Sequence, residues 1–136
     1  MVLNKSSNAV SDVTGSVAML DVSACLPDEH TVAAYERDGV VCLRNAHSAA
    51  WLAVVEQGID AALAGGSEDL DIVDKAGDSG RFSYSSQAWQ QVAPFRKFIF
   101  ESRVADLSWP FLKSNSLTLY YDFLLIKEPG AARAAT

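Results

Sequence analysis

Leu119-Tyr-Tyr-Asp-Phe-Leu-Leu-Ile-Lys-Glu-Pro-Gly130 is the stretch on which the reading of this chain turns. Aromatic and branched side chains fill it, as suits a pleated, covered backbone. Side chains alternate across a strand, so Tyr121, Phe123, Leu125 and Lys127 share one face, and Tyr120, Asp122, Leu124 and Ile126 share the other. Both faces are largely apolar. The pattern predicts a long strand over residues 117–127, covered on both sides and closed by a Pro129-Gly130 turn. Lys127 at its end reads in two ways: as a solvated rim charge, or as an ammonium that meets the carboxylate of a bound acid. Asp122, set among aromatic residues, needs a backbone or tyrosine partner if it is buried, which is a structural role.

Outward from that strand, Ser114-Asn115-Ser116 breaks a helical region of about residues 94–112. Its apolar side is Phe95, Phe98, Ile99, Val104, Leu107 and Phe111, and Pro110 should kink or divide it. Residues 66–93 read as a loop around Gly77, Ser79 and Gly80, pinned to the body by Phe82, Tyr84 and Trp89. The clearest helix precedes it. Ser48 is a suitable cap, Trp51, Leu52, Val55, Ile59, Ala62 and Leu63 recur at helical spacing, and Gly65-Gly66 stops the run. Leu26-Pro27-Asp28-Glu29 opens an earlier helix, with proline suited to its first position and acids to its positive end. That helix carries Val32 and Tyr35 and ends at Asp38-Gly39, and Val40–Leu43 follows as a short strand. Residues 1–22 read as a mobile leader with some order near Val17–Leu20, and residues 23–136 as one domain or part of one.

Composition narrows the function. The chain has 136 residues, 49% of them apolar and 21% charged, enough to bury a core. Its 17 acidic and 11 basic residues are interspersed and give a net charge of -6. No basic stripe forms, which argues against nucleic acid as a partner. The longest apolar run, residues 49–55, is too short for a bilayer, and residues 1–10 lack the apolar centre of a signal peptide. Cys25 and Cys42 form no CxxC pair and suit small buried hydrophobes in a reducing cytoplasm better than a disulfide or a zinc site.

No catalytic constellation emerges from the residues themselves. A non-haem iron site needs two histidines and a carboxylate on one face of the metal. The two histidines, His30 and His47, are not followed by x-Asp or x-Glu, so surface or capping roles are expected and no metal ligand is assigned. Nucleophilic triads, P-loops and GxGxxG patterns are missing. Arg81, Arg96 and Arg103 could hold a phosphate or carboxylate, but isolated arginines at this density read as surface residues. Trp89 and Phe95 read as core anchors.

Three segments in order carry a resemblance: Tyr35-Glu-Arg-Asp-Gly-Val-Val-Cys-Leu-Arg44, then Gly80-Arg-Phe82 with Trp89 and Pro94-Phe-Arg-Lys-Phe-Ile-Phe-Glu-Ser102, then Leu119–Gly130. Together they resemble the phytanoyl-CoA dioxygenase family of Fe(II)- and 2-oxoglutarate-dependent oxygenases, over roughly residues 27–136. The resemblance implies an α+β fold: an N-terminal helical layer and the first strands of a double-stranded β-helix, or jelly roll, with the barrel incomplete. It implies that Lys127, Phe123 and Tyr121 lie toward 2-oxoglutarate in a hydroxylase of a small molecule. The family's His-x-Asp, distal histidine and 2-oxoglutarate arginine fall beyond Thr136. The chain alone is therefore expected to be inactive and to bind neither Fe(II) nor 2-oxoglutarate tightly. Pro110 departs from the family pattern, in which a helix continues. Half a barrel leaves strand edges open, so self-association or pairing with a C-terminal half is expected. The alternative is a non-catalytic α+β binding or assembly module.

Overall fold

A computed structural model describes residues 17–68, 70–72 and 80–129. Their elements run β1 (Ala18–Asp21), α1 (Glu29–Asp38), β2 (Val41–Arg44), α2 (Ala49–Ala61), β3 (Asp71–Ile72), β4 (Phe82–Ser86), α3 (Ala93–Glu101), α4 (Val104–Leu112) and β5 (Phe123–Lys127). A π turn, Ala62–Gly66, follows α2, and a 3-10 turn, Ala88–Gln90, precedes α3. Helices and strands are mixed, and the two sheets among the described residues are small and open, with no closed barrel. The chain divides into two compact units, residues 1–48 with 103–117 and residues 49–102 with 118–136.

The first unit is a parallel β1–β2 pair joined by α1, with Ala18 opposite Val41 and Asp21 opposite Arg44. Parallel strands need such a crossover. Asp28 caps α1: its Oδ1 accepts from the Thr31 N–H at 2.9 Å and from the Thr31 hydroxyl at 2.7 Å. Pro27 therefore stands just before the cap, not at the first helical position. Gly39 ends the helix in the left-handed region, at φ 74°, where glycine carries no side-chain penalty. Val22, Ala34 and Leu107 are buried, and the Tyr35 and Phe111 rings meet edge to face at 5.2 Å. Arg103 donates to the Val22 carbonyl at 2.8 Å and to the Cys25 carbonyl at 2.5 Å, tying the β1–α1 connection to the start of α4. Residues 1–16 of the expected leader lie outside the described residues; residues 18–21 form β1. Cys25 and Cys42 are free and exposed, where the sequence suggested burial.

The second unit pairs α2 with α3 and holds a three-stranded antiparallel sheet of order β3-β4-β5, which meets the helices through Leu124. Its core is Ala62, Ala88, Val92 and Phe95, joined by Val55, Ile59, Trp89 and Leu124. The glycine stop holds: Gly65 sits at φ 94°. Beneath the sheet, the buried Ser67 and Ser85 hydroxyls bond each other at 2.8 Å, so neither is left unsatisfied.

Three expectations are corrected. Residues 66–93 are not all loop, since β3, β4 and the 3-10 turn lie there; Gly77 and Ser79 fall outside the described residues. The helical region 94–112 divides at Ser102, not at Pro110. Ser102 adopts extended backbone and donates its N–H to Phe98, closing α3, while Arg103 turns away to its two carbonyl partners. Pro110 is accommodated inside α4. The last strand spans Phe123–Lys127, shorter than residues 117–127. Its partner β4 ends at Ser86, where Gln87 turns into the left-handed region at φ 54°, so β4 offers residues 118–121 no strand to pair with. Gly130 of the expected turn lies outside the described residues.

Candidate functional site

β5 pairs with β4 so that Phe82 lies opposite Lys127, Tyr84 opposite Leu125 and Ser86 opposite Phe123. The flanking bonds fix which backbone groups are used. Gln87 N–H donates to the Asp122 carbonyl at 3.1 Å, and Glu128 N–H to the Arg81 carbonyl at 2.8 Å. Hydrogen-bonded pairs alternate along an antiparallel ladder. Residues 122, 124, 126 and 128 therefore direct their N–H and C=O groups at β4, while Phe123, Leu125 and Lys127 direct theirs at the outer edge, which no strand pairs among the described residues.

Side chains sort the same way. Leu124 packs on the core around Phe95, on the side where Ser83 and Ser85 are buried. Phe123 is 60% exposed, Leu125 55% and Tyr121 40%. The alternation is as expected, but the expected covering of both sides is not: the odd-numbered face is open. The structure does bring Tyr121, Phe123 and Lys127 onto that one face, and the Tyr121 and Phe123 rings meet edge to face at 4.8 Å.

β4 adds two residues that the sequence reading treated as loop anchors, Phe82 and Tyr84. The alternation Phe82-Ser83-Tyr84-Ser85 was the available signal, hidden by the glycines before it. Tyr84 stands opposite Asp71 as well as Leu125, and its hydroxyl donates to the Asp71 carboxylate. That bond, together with the negative charge, raises the phenol above its ordinary value. The resulting surface is aromatic, with an ammonium at one end and a carboxylate on its far strand.

The three arginines are committed elsewhere. Arg81 pairs with Glu128 at 2.8 and 3.0 Å, and this hydrogen bond holds the Glu128 carboxyl below its usual range. Arg96 lies over the Trp89 and Phe100 rings, 5.4 Å from each centroid. Arg103 serves two carbonyls. Asp122 takes the backbone partner expected of it, because its carboxylate receives the Trp89 N–H. Its Oδ1, however, is buried with no hydrogen-bond partner among the described residues, and burial pushes the carboxyl above its ordinary value.

His30 is exposed on α1, and His47 is half-buried in the turn that follows β2. Burial, and then the positive charge of Arg103, lower the His47 imidazole. No cluster of three His, Cys, Asp or Glu among the described residues could hold a metal ion. A facial iron triad does not fit these residues. In the first unit a groove of about 320 Å³ lies between α1 and α4, lined by Pro27, Val32, Ala33, Pro110, Glu29 and Lys113 among others. Three of its charged groups are engaged: Asp28 caps α1, and Lys113 pairs with Glu36. No helix of the described residues is long and apolar enough to cross a membrane. Compared with known proteins, the chain matches no family model, no curated protein and no solved structure.

Proposed function

We propose that this chain is the N-terminal part of a phytanoyl-CoA dioxygenase-family hydroxylase of a small molecule, the first strands of a jelly roll with its helical layer. The observation that carries the reading is that Phe123 and Lys127 share one face of β5, with the Tyr121 ring against Phe123; these are the positions the family resemblance assigns to the 2-oxoglutarate pocket. Lys127 offers its ammonium as a point charge for a carboxylate. Phe123 and Tyr121 supply apolar surface beside that contact. In such an enzyme 2-oxoglutarate supplies, by oxidative decarboxylation, the reducing equivalents for hydroxylating a substrate C–H bond. The iron has no place among the described residues, and no step of that chemistry is assigned to them. The exposed thiols Cys25 and Cys42 accord with a reducing, cytoplasmic setting.

The outward backbone groups of Phe123, Leu125 and Lys127 make an additional strand the natural neighbour of β5, supplied by a C-terminal half or a second copy. A second reading is a non-catalytic α+β binding or assembly module, for which the same exposed face of β5 would serve as the contact surface.

Titration of 2-oxoglutarate into the isotope-labelled chain tests the first reading. Weak binding, on the order of millimolar, should shift the amides of residues 121–127; Lys127→Ala should abolish the shifts and Lys113→Ala should not. Shifts centred on another element, or unaffected by Lys127→Ala, would remove its basis. The coding frame past Thr136 separates the two readings. Continuation into Pro-Trp-His-x-Asp supports the hydroxylase, and an immediate stop codon supports the module.

A further inference from the structure

We draw no further inference here: the strongest candidate, the aromatic outer face and open edge of the strand Phe123–Lys127, belongs to the site already described, and nothing in the structure shows what covers it.

Discussion

Gly58 is buried in α2 against the Phe95 ring, and a Cβ placed there would lie 2.4 Å from Phe95 Cε1 and 2.6 Å from Cδ1. Alanine at this position should gain about 1 kcal/mol in helix propensity. Overpacking should cost about 1–3 kcal/mol, so Gly58→Ala is expected to destabilise. Phe95→Leu removes the opposing ring atoms. In urea unfolding of the two single variants and the double variant, the double should lose less than the sum by about 1 kcal/mol. Strict additivity would mean that the contact does not exist.

Asp122 acts in the opposite direction to Asp21, Asp28, Asp38 and Glu128, whose carboxyls are lowered by hydrogen bonds. Its folded value is raised by burial, so between the ordinary value and the raised one the folded state holds more proton than the unfolded. Its contribution to stability falls as pH rises through that window. Asp28 is lowered by its bonds from Thr31, so its contribution is present above the ordinary value and is lost as pH falls through the folded value. The difference between wild type and Asp122→Asn isolates the first effect. Unfolding at pH 4 and at pH 7 should show that the substitution is more favourable at pH 7. An equal effect at both would show that Asp122 titrates normally.

At the scale of elements, β5 carries the sharpest test, because neighbouring leucines have opposite environments. Leu124 packs against the Phe95 core and Leu125 is exposed. Leu124→Ala should cost about 2 kcal/mol or more. Leu125→Ala should change stability by no more than about 0.5 kcal/mol. Equal costs in chemical denaturation would mean that the register with β4 is wrong by one residue, since such a slip exchanges the faces. The alternation of β5, the glycine ends of α1 and α2, and the apolar spacing of α2 were legible because each rests on local chemistry. The extent of β5 was not, because β4 stops where Gln87 turns, which no residue of β5 encodes. The break at Ser102 was equally hidden. Pro110 was the conspicuous local signal, yet Arg103, tied to Val22 and Cys25 some 80 residues earlier, begins the new helix (separations 81 and 78).

For the whole molecule, an exposed aromatic strand with an open row of backbone donors and acceptors favours association. Sedimentation velocity at rising concentration should show species larger than the monomer. Phe123→Lys with Leu125→Lys should shift the distribution toward monomer while leaving the helical circular dichroism unchanged. A monodisperse monomer from the unaltered chain would contradict this. Of the candidate site, Phe123 and Lys127 could be placed together from the sequence because alternation within one strand is a property of the backbone; Tyr121, just before the strand, joins them through its ring contact with Phe123. Phe82 and Tyr84 join them only through pairing of β4 with β5, about 40 residues apart in the chain. The sequence by itself determined a mixed helix-and-strand chain, its helix ends, and which side chains of the last strand share a face, because dihedral preferences and periodicity act over a few residues. Only the tertiary structure decided which face is buried, how long the strand is, and that the arginines are already engaged, because burial, pairing and charge neutralisation depend on groups distant in sequence.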